Sequence, residues 1–350
     1  MNIYTEMQED KSVKMSFDEK HYEEGIIREK KGDEFIYYYV NTGKVVKKED
    51  IERINKLRIP PAWTDVWISR DPDSAIQVIG RDAKGRKQYR YNQMHIEQAD
   101  KEKFFRMIDF INSLPKLEKI LAKHSELPFY DKNRVVSLML LLVQEYHMRV
   151  GKEVYARQNR SYGISSMRKK HVKIGKNIIH LKFKGKSNQR LHYTITNPEF
   201  INDIKMMMKL EGDRLFQYIT VDERGTERIY PVTDKDLNAY IQQYMGEDFT
   251  IKDFRTYAAN ETFVKSLLNE TKKRSPKDRR TIKKNIMNAF KSTARQLKHT
   301  GAVSKKSYVL NFALELYQND PEIYIKNKNI DPTDFLKMLL DMYKSNVMNE

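Results

Sequence analysis

The sequence predicts an α+β fold, in which a small β-rich amino-terminal domain precedes a larger, mainly α-helical domain. In the first hundred residues, short β-branched and aromatic segments alternate with turn residues such as Pro60-Pro61 and Lys84-Gly85. From about residue 99 onward, apolar residues recur at helical spacing instead. A length of 350 residues suits about two domains. We therefore predict domains over residues 1–97 and 98–350.

The elements follow from the same patterns. Strands of the small domain are predicted at 35–40, 63–68, 75–79 and 87–91, with one helix at 48–57. In the larger domain, a basic β-like segment at 171–196 contains a turn at 184–186. Apolar spacing predicts the helices of that domain at 101–113, 117–124, 132–149, 198–211, 234–245, 251–269, 275–298, 303–317 and 331–345.

The charge of the chain is strongly positive and unevenly distributed. Lys and Arg number 65 against 48 Asp and Glu, which gives a formal charge of +17. The first hundred residues sum to −1, whereas residues 151–190 carry +11 and residues 271–310 carry +12. Such windows are often solvated surfaces. Two of them in one domain favour a groove for a polyanion, with nucleic acid first and an anionic membrane second.

Several classes of protein are excluded by what the sequence lacks. Without cysteine, the chain has no disulfide framework, thiolate zinc site or cysteine nucleophile. The two glycine-rich phosphate-binding motifs G-x-x-x-x-G-K-[ST] and G-x-G-x-x-G do not occur, and the eight histidines lack metal-ligand spacing. The longest apolar run, 138–143, is far shorter than the ~20 residues that span a bilayer. We therefore expect no cofactor, no catalytic metal and no membrane.

Metal-free chemistry on a phosphodiester needs a nucleophile, fixed cations for the phosphate oxygens and an acid for the leaving oxygen. Arginine suits the cationic role because its planar fork stays charged and binds phosphate through two hydrogen bonds. Four basic segments supply such residues: 147–159 (HMRVGKEVYARQN), 182–193 (KFKGKSNQRLHY), 251–263 (IKDFRTYAANETF) and 295–308 (RQLKHTGAVSKKSY).

With these segments, and with 58–69 (RIPPAWTDVWIS) and 76–95 in the small domain, the sequence resembles the type IB DNA topoisomerases. The resemblance is greatest to the small branch found in poxviruses, other large DNA viruses and bacteria. It covers nearly the whole chain, and its six segments occur in the family's order. It implies two domains that close as a clamp on double-stranded DNA and relax supercoils without ATP.

The resemblance also implies five catalytic residues in this chain. Tyr308 would be the nucleophile that forms a 3′-phosphotyrosyl intermediate. Arg149 and Arg255 would bind the non-bridging phosphate oxygens, and His299 would donate a hydrogen bond to one of them. Lys186, at a β-turn, would protonate the departing 5′ oxygen.

Alternative roles remain open for these positions: Lys186 would otherwise be a plain phosphate contact, and His299 a polar surface residue. Some members of the family have Asp where this chain has Ser187, so Lys184 is a second candidate for the general acid. Arg149 would otherwise be a structural cation at the end of a helix. Arg255 would otherwise form a salt bridge with Asp253.

Two basic surfaces are predicted to contact DNA. In the small domain, one is the hairpin that carries Arg81, Lys84, Arg86, Lys87, Gln88, Tyr89, Arg90 and Tyr91. In the larger domain, backbone contacts are predicted for Lys152, Tyr155, Arg157, Lys169, Lys170 and His171.

Two further hypotheses compete with a topoisomerase. A tyrosine recombinase uses a similar set of residues, but there a histidine usually lies three positions before the second arginine, where this chain has Lys252. A non-enzymatic basic DNA-binding protein would need no nucleophile. We expect a monomer, and an intracellular location in the bacterial cytoplasm or, for a virus, in the viral factory or virion. Any preferred DNA site is left open.

Overall fold

The computed structural model describes residues 22–348, so the first 21 residues of the predicted small domain lie outside the described residues. The chain divides into two compact units that meet in sequence at Glu102 and Lys103. The first unit is rich in strands and the second is mainly helical. This confirms the predicted α+β fold.

The first unit contains a five-stranded antiparallel sheet and one helix, α1 (Lys48–Lys56). The strand order is β2-β1-β3-β4-β5. Strand β1 was not predicted, because its apolar residues are confined to one end of a charged segment. The strands are β1 (Ile26–Lys31), β2 (Glu34–Tyr39), β3 (Thr64–Ile68), β4 (Ile76–Arg81) and β5 (Lys87–Tyr91).

Each face of this sheet has its own apolar cluster. Ile54 of α1 is buried against Ile68 and Val78 on one face. On the other face Trp67 is buried with Ile79. Successive side chains of a strand point to opposite faces, so adjacent residues such as 66 and 67 enter different clusters. Burial on both faces keeps the sheet, and with it the β4–β5 hairpin, in a fixed register.

The second unit contains eleven helices and two small sheets among the described residues. One helix, α2 (Gln93–Ser125), begins before the boundary between the units. The remaining helices are α3 (Lys132–Tyr146), α4 (Glu153–Asn159), α5 (Pro198–Met207), α6 (Asp234–Met245), α7 (Ile251–Lys273), α8 (Arg279–Gln296), α9 (Gly301–Ser307), α10 (Asn311–Asn319), α11 (Glu322–Lys326) and α12 (Pro332–Met348).

The two sheets of this unit are antiparallel. Strands β6 (Val172–Ile174), β7 (Ile179–Lys184) and β8 (Arg190–Ile195) form the first. Strands β9 (Gln217–Val221) and β10 (Glu227–Pro231) form a separate hairpin. That hairpin was not predicted, although β-branched residues flank its Arg-Gly turn.

Helix α7 connects the two apolar cores of this unit. Phe254, near its start, lies in the core that contains α3, β7 and β8. Phe263 and Leu267, further along, lie in the core formed with α8, α10 and α12. All three side chains are almost fully buried. The helix is therefore held along most of its length, which fixes the position of every polar side chain on it.

Several predicted helix boundaries were wrong. One helix, α2, replaces the two predicted at 101–113 and 117–124, because the burial of Leu114 and Leu117 in the cores outweighs the helix-breaking tendency of Pro115. Helix α3 ends at Tyr146, so Arg149 follows the helix and does not end it.

The predicted helix at 303–317 is interrupted at Tyr308. It forms two helices, α9 and α10, with Tyr308 at the end of the first and extended backbone at Leu310. Among the described residues, no helix is long and apolar enough to cross a membrane.

The stability of the protein should depend on pH through buried imidazoles. Burial, reinforced by Lys170 and Arg168, lowers the pKa of His171 to about 4. An unfolded histidine titrates near 6.5. Between these values the unfolded chain binds a proton that the folded chain does not, so stability falls as pH drops from about 7 towards 4.

We expect His171→Gln to weaken this pH dependence. Urea unfolding followed by circular dichroism at pH 7 and pH 5 measures it, and the exposed His95 provides His95→Gln as a control. Equal losses of stability in the wild type and His171→Gln between the two pH values would contradict the assignment.

Candidate active site

Two arginines bind the backbone carbonyls that follow α8. Arg255 Nη2 donates to the Leu297 carbonyl oxygen at 2.9 Å, and Arg149 Nη1 donates to the Lys298 carbonyl oxygen at 3.5 Å. Carbonyls at and just beyond a helix end have no partner within the helix, and the helix end carries partial negative charge. They therefore hold both guanidinium groups close to the residue that follows, His299.

Arg255 is enclosed by backbone acceptors. Only 4% of its surface is exposed, and its second guanidinium nitrogen donates to the carbonyl of His147, just beyond the end of α3. Its Nε has no partner among the described residues. Asp253 binds Arg106 through two hydrogen bonds of 3.0 and 2.7 Å. The proposed salt bridge between Arg255 and Asp253 is therefore absent.

Arg149 lies in an extended segment between α3 and α4. His147 ends α3 in the left-handed conformation, with a φ of 52°. Gly151, with a φ of +72°, lies so close to Gly163 that a Cβ would be 2.5 Å from the Gly163 nitrogen. Only glycine fits there, since both the backbone conformation and the space exclude a side chain. This close approach positions the segment that carries Arg149.

Tyr308 lies at the break between α9 and α10, with its ring next to both His299 and Arg255. The ring of His299 is nearly parallel to it, at a centroid distance of 5.2 Å and an angle of 13°. The Arg255 guanidinium lies 5.7 Å from the ring centre. Burial alone would raise the pKa of Tyr308, but Arg255, Arg149 and Lys186 outweigh it and lower that pKa below its ordinary value.

Asn260, on α7, holds the backbone around Tyr308. Its Nδ2 donates to the Tyr308 carbonyl at 3.0 Å, and its Oδ1 accepts from the Leu310 amide at 2.8 Å. The side chain is 1% exposed. It thus replaces helical hydrogen bonds that α9 would otherwise continue. Sequence reasoning missed this residue, although a polar side chain within an apolar helical run indicates a buried hydrogen bond.

His299 is a neutral imidazole at physiological pH. Burial, with the charges of Arg255 and Arg149, lowers its pKa to about 4. Its Nδ1 lies 3.4 Å from Arg255 Nη2, and its Nε2 lies 2.7 Å from Ser304 Oγ. Its interactions in this site are therefore hydrogen bonds rather than those of an imidazolium cation.

Lys186 and Lys184 lie on the same hairpin but differ in position. Lys186 is exposed and begins a short 3₁₀ turn between β7 and β8, in which Ser187 is left-handed with a φ of 59°. Lys184 is on the outward face of β7. Lys186 contributes to lowering the Tyr308 pKa, whereas Lys184 is not among its causes, so Lys186 is the lysine that acts on Tyr308.

A cationic cleft of about 360 Å³ opens beside His299. Strand β8 forms one wall and the end of α8 the other. Within the part of the chain that the structure describes, no carboxylate lines it and none forms a salt bridge with Arg190 or Arg295. The cleft residues are Gln189, Arg190, Leu191, His192, Ala294, Arg295, Lys298 and His299.

The predicted DNA-contact residues of the small unit lie on or beside the β4–β5 hairpin. Arg81 lies 3.3 Å from Asp65, and Arg86 forms an exposed ion pair with Asp82. The Arg86 hydrogen bond lowers the pKa of Asp82 to about 2. The other members of this surface are Lys84 in the turn and Lys87, Gln88, Tyr89, Arg90 and Tyr91 on β5.

In the second unit, some of the residues predicted to contact DNA have exposed side chains and others have side chains directed into the protein. Lys169 donates to the Leu210 carbonyl, and His171 is buried against Tyr162. The outward side chains are Lys152, Tyr155, Arg157 and Lys170. No group of three or more His, Asp or Glu side chains among residues 22–348 is arranged to hold a metal ion.

Comparison with known proteins identifies the family. Residues 85–329 match the model described as the catalytic core of eukaryotic DNA topoisomerase I. The chain is 67% identical over 336 residues to the DNA topoisomerase 1B of Acanthamoeba polyphaga mimivirus, covering 96% of this chain and 100% of that relative. The chain belongs to the type IB DNA topoisomerases. The resemblance inferred from its motifs is confirmed, and DNA is the substrate of this enzyme.

More distant relatives support the same assignment. The DNA topoisomerase 1B of vaccinia virus (strain Copenhagen) is 24% identical over 298 residues, which covers 84% of this topoisomerase and 90% of the relative. The DNA topoisomerase I of monkeypox virus is 25% identical over the same length and with the same coverage. Residues 34–82 match the amino-terminal domain of bacterial DNA topoisomerase IB. Membership of this family argues against a recombinase and against a merely DNA-binding protein.

The structure predicts that Asn260→Ala destabilises the catalytic unit. The substitution leaves the Tyr308 carbonyl and the Leu310 amide without partners, and such a loss costs about 1–3 kcal/mol. For a unit of this size each kcal/mol lowers the thermal midpoint by about 2–4 °C. Thermal unfolding measures the effect, with the exposed Asn319→Ala as control. Equal midpoints for the two variants would refute the role of Asn260.

Proposed function

We propose that this topoisomerase relaxes supercoiled duplex DNA by cutting and resealing one strand through Tyr308. The observation that carries the proposal is the arrangement of a partly buried tyrosine against Arg255, with Arg149 and His299 beside it. Cations around a tyrosine favour the phenolate, which is the nucleophilic form. The lowered pKa of Tyr308 is the expected result of that arrangement.

In the proposed cleavage step, Tyr308 loses its phenolic proton to solvent, and the resulting phenolate oxygen attacks a backbone phosphorus atom. A bond forms between that oxygen and phosphorus, and the bond from phosphorus to the 5′ oxygen breaks. Lys186 gives a proton to the departing oxygen, so the products are a 3′-phosphotyrosine and a free 5′-hydroxyl. Resealing is the reverse reaction. Because the phosphotyrosine keeps the bond energy, the cycle needs no ATP.

The charge on the reacting phosphate would be balanced by fixed donors. Arg149 and Arg255 are already oriented by the carbonyls after α8, so they need little rearrangement when DNA binds. Preorganised donors of this kind lower a barrier by about 2.7–4 kcal/mol each. His299 would add an uncharged hydrogen bond to a non-bridging oxygen. With these donors the step requires no metal ion.

The phosphates that flank the reacting one would be bound by exposed basic side chains. The cationic cleft beside His299 is suited to the phosphate chain of the cleaved strand, because Arg190 and Arg295 have no acidic partner among the described residues. The outward residues Lys152, Tyr155, Arg157 and Lys170 and the β4–β5 hairpin are proposed as further contacts. Closure of the two domains as a clamp, and action as a monomer, remain predictions.

Replacing the nucleophile provides the decisive experiment. We expect Tyr308→Phe to abolish plasmid relaxation and the covalent DNA adduct, because phenylalanine has no attacking oxygen. The assay contains EDTA and no ATP, and the adduct is detected after denaturation by its altered mobility. Tyr230→Phe, at an exposed position on β10, is the matched control and should retain both activities.

Three results would contradict the proposal in different ways. Relaxation by Tyr308→Phe would show that another residue is the nucleophile. A wild type that requires ATP or a divalent cation would refute the metal-free mechanism. An adduct that leaves a free 3′ end would reverse the assigned polarity.

The cationic cleft predicts a change in the salt dependence of DNA binding. Removing one arginine that binds a phosphate should reduce the slope of log K against log salt by about 0.9. We expect this for Arg190→Ala and for Arg295→Ala, measured by fluorescence anisotropy of a labelled duplex in the non-cleaving Tyr308→Phe background. Arg224→Ala, in the exposed turn between β9 and β10, is the control. An unchanged slope in both cleft variants would remove the cleft from the DNA interface.

A further inference from the structure

Ser304 lies between the histidine and the nucleophile but is not one of the five proposed catalytic residues. It is on α9, four residues before Tyr308, and its surface is 0% exposed. Its hydroxyl oxygen is 2.7 Å from Nε2 of His299. A buried hydroxyl at this distance is a specific hydrogen bond and not a surface contact.

The neighbours of His299 determine which ring nitrogen carries the proton. Arg255 Nη2 lies 3.4 Å from Nδ1. A guanidinium can only donate hydrogen bonds, so Nδ1 must offer its lone pair. A neutral imidazole then carries its proton on Nε2, and the low pKa of His299 is consistent with the neutral form. Nε2 therefore donates to the hydroxyl of Ser304.

The backbone of the same serine holds the nucleophile. The amides of Tyr308 and Val309 both donate to the Ser304 carbonyl, at 3.2 and 3.0 Å. Through its side chain and its carbonyl, one buried residue thus contacts the imidazole and the peptide that carries the phenol. The parallel stacking of the two rings, 5.2 Å apart, is the arrangement that these two contacts support.

We propose that Ser304 is the positioning residue for His299. Arg255 at Nδ1 leaves the proton of the imidazole on Nε2, and the hydroxyl of Ser304 accepts the hydrogen bond from that nitrogen and keeps the ring parallel to Tyr308 before DNA binds. When DNA binds, a phosphate oxygen replaces the hydroxyl as the acceptor of the hydrogen bond from Nε2. The exchange is favourable because a hydrogen bond to a charged acceptor is stronger than one to a neutral hydroxyl. The inference rests on the proposed function, since it assigns a partner to the histidine of that reaction.

The kinetic test compares three substitutions at one position. We expect Ser304→Ala to slow single-turnover adduct formation about tenfold, the effect of losing one hydrogen bond that orients a reacting group. DNA affinity should be unchanged. Ser304→Thr, which keeps the hydroxyl, should restore most of the rate. Ser304→Cys, which keeps the size but accepts hydrogen bonds weakly, should resemble the alanine variant.

A double mutant distinguishes positioning of His299 from a general structural effect. In the His299→Ala background, Ser304→Ala should cause no further loss of rate, because both substitutions remove the same interaction. Additive losses, or a wild-type rate in Ser304→Ala, would overturn the proposal. If the wild type itself forms no adduct, the failure lies with the proposed function instead.

The proton position is also measurable without catalysis. In ¹⁵N spectra of histidine-labelled enzyme, we expect His299 to be protonated on Nε2 in the wild type and in Ser304→Thr. In Ser304→Cys the proton should stay on Nε2, because Arg255 still faces Nδ1, but the Nε2 resonance should shift because its hydrogen-bond acceptor is weaker. Disappearance of the signal in His299→Asn assigns it among the eight histidines. Protonation on Nδ1 in the wild type, or identical spectra for all three proteins, would overturn the inference whatever the rates.

Discussion

The candidate active site depends on the carbonyl groups just beyond the end of α8. Two of them accept hydrogen bonds from Arg255 and Arg149, which lie more than a hundred residues apart in the sequence. Two guanidinium groups brought together repel each other, and burial adds the cost of removing their water. The partial negative charge of a helix carboxyl end offsets part of this cost. The helix end thus allows two cations to be placed beside Tyr308 before any phosphate is present.

The packing of α7 transmits this arrangement to Tyr308. Its apolar residues lie in both cores of the catalytic unit, so the helix has little freedom to shift. Arg255 and Asn260 project from it five residues apart, and one contacts the ring of Tyr308 while the other binds its backbone. A substitution in either core that moves α7 should therefore disturb Arg255 and Tyr308 together. The same helix thus contributes to the stability of the unit and to the geometry of the candidate site.

The sequence was sufficient for the fold class and the chemical residue types, because strand-like alternation and helical spacing are local signals. It failed where tertiary contacts override local ones. Asn260 takes the hydrogen bonds that would continue α9, so the predicted helix at 303–317 breaks at Tyr308. Burial of Leu114 and Leu117 keeps α2 continuous across Pro115. Ser304 and Asn260 carry no charge and belong to no recognised catalytic set, so their contacts could be found only in three dimensions.

The same positive field acts on the two rings of the site in complementary ways. Arg255 and Arg149 stabilise negative charge on Tyr308 and, for the same electrostatic reason, disfavour positive charge on His299. A protonated histidine would add a third cation to a site that already holds two. A neutral one can still donate a hydrogen bond, but only if its single proton lies on the correct nitrogen. Because Arg255 occupies Nδ1, the proton is directed to Nε2, and a neutral acceptor such as the hydroxyl of Ser304 can hold it there without adding charge. The two arginines therefore favour the ionised form of Tyr308, and Arg255 sets the tautomer of His299.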